Sequence, residues 1–155
     1  VPTVYDSVKN GGLSFAEIDK YFKDGASEWW IKIMVIDLFM VIGAFDITTP
    51  YQFKAIAKRI RQEYYHVTPG ELTRFFYEFS MGEYGEIYVG KTVNPQRLFI
   101  ALDKYICKVY EKRAEIDSQR NLDKQKIEYE KDKMNAISYE EYCLRKGVDP
   151  KESPL

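Results

Sequence analysis

One stretch of this chain has the residue types and spacing of a chemical site. From Gly85 to Thr92 it spells G-x-x-x-x-G-K-[ST], the pattern of loops whose backbone N–H groups curl around phosphates. That chemistry needs small residues in the loop, a buried strand before it and a helix starting at the Lys-Ser/Thr pair. Here Glu86, Ile87, Tyr88 and Val89 fill the interval between the glycines, so bulk and a negative charge stand where phosphates would lie. The segment before it has helical spacing, and Asn94-Pro95 sets a later start for the next helix. The stretch reads instead as a small β-hairpin over residues 86–93, with Gly90 first in a type II′ turn. A lone hairpin is marginal, so Ile87, Val89 or Tyr88 must pack on helices, leaving Tyr84, Lys91 and the glycines at the surface. Either the hairpin only joins two helices, or Tyr84, Tyr88 and Lys91 form an exposed contact loop.

Other candidate chemistry is sparse. His66, the single histidine, follows a helical segment, where a ring serves the helix dipole and the last carbonyls. Cys107 and Cys143 match no metal or redox spacing and read as thiols of a reducing cytoplasm, each packed as a small apolar residue. The carboxylates fall on helix surfaces and in caps, with no acid/base couple marked. No catalytic residue, cofactor or metal is expected. Lys54, Lys58 and Arg61 line up at helical spacing with Arg59 beside them, a local cationic face to which Tyr65, Lys91 and Arg97 can add.

The elements that would position these residues are helices. Ser or Thr with Glu or Gln three residues later, the capping box, occurs at Ser14 and Glu17, Thr49 and Gln52, Thr68 and Glu71, and Ser138 and Glu141. Pro50, Pro69 and Pro95 each sit at a first helical position. The expected fold class is mainly all-α: a compact bundle of about five helices, one hairpin at 86–93 and a charged helical C-terminal extension. Residues 1–12 read as an extended arm, 13–113 as the helical domain, and 114–155 as the extension with a short capped helix. Helices are expected from Phe15 to about Lys23, from near Ser27 to Ile42, from Pro50 to about Tyr65, from Pro69 to about Met81 closed by Gly82, and from Pro95 onward. The run from Trp29 to Ile42, broken only by Lys32 and Asp37, is shorter than a bilayer span and reads as a central helix covered on most sides. Past Glu111 charges dominate and no heptad persists, so a solvated helix is favoured over a coiled coil.

With 155 residues the chain is long enough for a real core, and its net charge of −1 draws it globally to neither nucleic acid nor an anionic membrane. No charged segment precedes an apolar one at the start, so no signal peptide is expected, while Val1 in place of methionine points to residues upstream. The order Trp30 to Leu38, Thr-x-x-Gln, Ile60-x-x-Glu63-Tyr64, Phe75-Phe76 and Gly82-x-Tyr84-Gly85-x-Ile87-Tyr88 resembles a family of small uncharacterised helical proteins carried by phages and mobile elements of gut anaerobes. The resemblance covers residues 28–113, and G-x-Y-G-x-[IL]-Y is its most specific element. It implies a phage or mobile-element origin and no activity. The function expected is therefore non-enzymatic, through a protein partner at the C-terminal extension or the hairpin, as a replication adaptor or virion component. The alternative is a nucleic-acid-binding module using the basic face of helix 50–65. The expected location is the host cytoplasm or a virion, without membrane; oligomerisation is left open.

Overall fold

The computed structural model describes Thr3 and residues 12–147. All but two residues of the arm expected over 1–12 lie outside that range, as does the C-terminal end from 148. The elements in chain order are α1 (Phe15–Tyr21), α2 (Ala26–Val41), a 3-10 turn (Phe45–Ile47), α3 (Pro50–Glu63), α4 (Pro69–Ser80), β1 (Tyr88–Val89), β2 (Thr92–Val93), α5 (Pro95–Asn135) and α6 (Tyr139–Lys146). The fold is all-α with one small antiparallel hairpin, in the class the sequence predicts. Two compact units divide after Ala114.

Local chemistry fixes the helix ends. Full capping boxes form at Ser14, Thr49 and Thr68. Ser138 accepts only from the Glu141 N–H, at 3.2 Å. Asn94 caps α5 by accepting from the Gln96 N–H at 3.0 Å. At the C-terminus of α4, Gly82 N–H reaches Phe79 O and Glu83 N–H reaches Glu78 O, a Schellman closure that needs the positive φ of 83° at Gly82. The same closure ends α2, where Gly43 and Ala44 donate to Met40 O and Phe39 O. The cap of α2 is borrowed. Its N-cap is Gly25, which has no side chain to offer, and Asp19 of α1 accepts instead from Ser27 N–H at 2.9 Å and Ser27 Oγ–H at 2.7 Å.

In the first unit α2 packs against α1, α3, α4 and the 3-10 turn, the last of which the sequence did not suggest. Ile31, Val35, Leu38 and Phe39 of α2 meet Phe53, Ile56 and Ile60 of α3 and Leu72, Phe75 and Phe79 of α4 in one buried cluster. Leu98, Leu102, Tyr105, Ile106 and Val109 of α5 complete it. Phe75 lies at its centre, with ring centroids 5.5 Å from Tyr105 and 5.6 to 5.8 Å from Phe76, Phe79 and Tyr84. Two expectations need correcting. The apolar helix keeps one side uncovered: Trp29, Ile33, Met40 and Val41 are exposed. Of the cysteines, Cys143 is buried but Cys107 is exposed on α5.

In the second unit, residues 117–135 of α5 are exposed, as a helix with few apolar residues in register should be. Gly147 ends α6 in the left-handed region.

Arg61 links α1, α2 and α3. Its guanidinium donates to Asp19 at 2.7 Å, binds Asp24, and lies 3.6 Å from Glu28. Burial pushes the Asp19 carboxyl up, but the Ser27 and Arg61 hydrogen bonds outweigh it and hold Asp19 below its ordinary pKa. Arg61→Ala removes the cation that three carboxylates share, and should lower unfolding free energy by about 1–2 kcal/mol, more than an exposed pair contributes and less than a fully buried one. Urea unfolding of the wild type and Arg61→Ala checks it; Arg59→Ala, whose pair with Glu63 is exposed, should cost less.

Candidate functional site

The uncovered side of α2 borders a groove. Met34, Asp37, Leu38 and Val41 form one wall, and Thr73, Phe76, Tyr77 and Ser80 of α4 form the other, around a volume of about 300 Å³. Ser80 is shared with a second hollow of about 310 Å³, bounded by Ile42, Phe79, Gly82, Glu86, Ile87 and Tyr88. The groove thus runs along α2 and α4 to the hairpin. Helical spacing explains it: positions 34, 38 and 41 follow one another along α2, as 73, 76, 77 and 80 do along α4.

The hairpin end is tied to the helices by hydrogen bonds and one buried side chain. Tyr88 pairs with Val93 and Val89 with Thr92, leaving Gly90 and Lys91 as a two-residue turn. Gly90 has φ of 61° and Lys91 a negative φ, the pattern of a type II′ turn. Ile87 is buried, Asn94 N–H donates to its carbonyl at 2.9 Å, and the Tyr88 hydroxyl donates to Ile42 O at 3.0 Å. Arg97 donates to Glu86 O at 3.0 Å. Gly85 to Thr92 is therefore spent on strand pairing, and α5 begins only at Pro95, so the backbone there does not curl in front of a helix as a phosphate loop does.

Of the residues expected to form a contact loop, Lys91 is exposed at the turn, and Tyr88 is half-buried and tied to α2. Tyr84, expected at the surface, is half-buried: its ring packs on Phe75 and its hydroxyl donates to Glu78 Oε2 at 2.8 Å. Burial, then the Glu78 carboxylate, raises its pKa. The basic face of α3 is divided. Lys54 and Lys58 are exposed, whereas Arg61 is held by carboxylates and Arg59 bonds Glu63 while lying over the Phe99 ring at 4.1 Å. His66 meets Tyr110, with Nε2 and Oη 3.0 Å apart and rings nearly parallel.

No protein family, curated protein or solved structure matches the chain.

The sequence reading missed two buried carboxylates. Glu78 of α4 is fully buried and accepts from Arg74 at 2.9 Å, Lys108 at 3.1 Å and Tyr84. Burial raises the pKa of its carboxyl, yet these bonds prevail and hold it below the ordinary glutamate value. Glu71 accepts from Thr68 N–H at 2.9 Å within its capping box and binds Arg113. Positions 71, 75 and 78 share one face of α4 with Leu72 and Phe79 beside them, and that spacing was the available signal that both acids turn inward. Enclosed by their own cations, these carboxylates clamp α4 to α5 and offer no open acid/base pair. Among the described residues, no group of three His, Cys, Asp or Glu side chains is placed to hold a metal ion, and no helix is long and apolar enough to cross a membrane.

Proposed function

We propose that the chain is a non-enzymatic helical adaptor that binds another protein in the groove between α2 and α4, with the hairpin closing one end. The observation that carries this is the uncovered side of α2. Trp29, Ile33, Met40 and Val41 expose large apolar side chains, and Val41 with Met34, Phe76 and Tyr77 lines a concave surface framed by packed helices. Exposed apolar side chains of this kind are a feature of interaction surfaces, and a two-helix groove suits an amphipathic partner segment. The resemblance to phage and mobile-element proteins suggests the setting, a replication adaptor or a virion component.

The nucleic-acid reading has less support. With Arg59 and Arg61 held by carboxylates, Lys54 and Lys58 are the two cations of the α3 face without an ion pair among the described residues. Two phosphate contacts give a salt slope of only about −2 and weak binding.

The test is affinity capture from infected or element-bearing host cells with the wild type and Val41→Asp. Val41 is exposed, so the variant should fold normally by circular dichroism. A charge set into the apolar wall should weaken binding at least about tenfold. A protein retained by the wild type and lost with Val41→Asp supports the proposal. Equal retention by both, with loss only when residues 114–155 are removed, moves the partner to the C-terminal extension and overturns it.

A further inference from the structure

The groove has a sign. Its lining from α2, α4 and the hairpin holds Asp37 and Glu86 and no lysine, arginine or histidine. The Asp37 carboxylate has no ion pair or hydrogen bond among the described residues. The C-terminal ends of both α2 and α4 reach it, and neither helix carries a basic residue in its last turn, so two negative helix ends add to the two acids. Arg74 stacks over the Tyr77 ring at 5.2 Å, but its guanidinium is bound to Glu78.

Resting on the adaptor reading, we infer that the groove takes an amphipathic segment of a partner protein that presents a lysine or arginine to Asp37, flanked by apolar side chains that fill the space between Met34, Val41, Phe76 and Tyr77. An apolar segment covering Asp37 would strip water from a carboxylate and return nothing; an acidic one would add repulsion. A cation at that point recovers the lost hydration and is drawn further by the helix ends. Asp37 thus rejects wrong partners as well as holding the right one, while the apolar walls supply most of the contact area.

The experiment is selection on the full chain from a displayed library of helical peptides randomised along one face. Wild-type protein should enrich sequences with a single Lys or Arg between apolar positions. The same selection on Asp37→Asn should lose the preference for the cation but keep the apolar one, and on Val41→Asp should enrich nothing. For an enriched peptide, polarisation titration should show about tenfold weaker binding when its cation becomes Gln, about the same loss with Asp37→Asn, and little further loss when both are changed. Enriched peptides without a cation, or with equal affinity for wild type and Asp37→Asn, overturn this inference and leave the adaptor reading standing. No enrichment over Val41→Asp overturns both. Sedimentation showing a dimer that Val41→Asp dissociates would give the groove to a second copy, and also overturns the inference.

Discussion

Glu78→Ala should lower the free energy of unfolding by about 3 kcal/mol, the low end of what breaking a buried ion pair costs, because Lys108 and Arg74 can regain some water. The carboxylate joins three segments: Arg74 on its own helix, Tyr84 after the α4 closure, and Lys108 on α5. Its loss leaves a void beside Phe75 and Phe79 and strands the Tyr84 hydroxyl. Glu78→Gln keeps the shape and should cost less, about 2 kcal/mol, since the amide oxygen still accepts but its NH2 group places a donor against cations. The difference has a defined pH dependence. The folded carboxyl is held below its ordinary value, so its stabilisation is fully present above the unfolded glutamate pKa of about 4.3 and is lost as pH falls through the lower folded value. Urea unfolding at neutral and acid pH should therefore show wild type and Glu78→Gln converging only below about pH 4. A gap under about 0.5 kcal/mol at neutral pH would mean the cluster does not hold α4 to α5.

Phe75→Ala should cost about 4 kcal/mol, from lost apolar burial, the cavity left behind and four aromatic contacts removed together. The ring is inaccessible to solvent, and the four rings it touches come from α4, the segment after it and α5, which cannot all collapse inward at once. Trp29→Ala is the control. Trp29 is larger but 68% exposed, and its replacement should change stability by less than about 0.5 kcal/mol. Thermal or urea unfolding of both variants checks the pair. Equal losses would contradict the assignment of the α2 side that carries Trp29 as uncovered.

Local rules made most of the fold readable. Capping boxes at Ser14, Thr49 and Thr68, prolines at the first helical positions and Gly82 after α4 depend on neighbours within a few residues, so the sequence states them directly. The Gly90-Lys91 turn was legible for the same reason. What depended on distant partners was not. Lys54, Lys58 and Arg61 share one face of α3, but Arg61 was claimed by acids 33 or more residues earlier, at Asp19, Asp24 and Glu28. Glu78 fell among the carboxylates expected on helix surfaces, whereas Lys108, thirty residues on, made its burial possible. The groove was the hardest to foresee. α2 is apolar nearly all round, so its periodicity cannot say which side its neighbours leave open. Asp37 marked the place only as a break in that run, without showing that it borders α4 in a groove with no cation in its lining.

Docking of a protein partner between α2 and α4 can be read by hydrogen–deuterium exchange of the full chain, alone and with the protein that Val41→Asp fails to retain. Exchange should slow on binding over residues 33–42 and 73–82, with 50–63 and 115–147 unchanged. Protection confined to 50–63 or to 115–147 would contradict it.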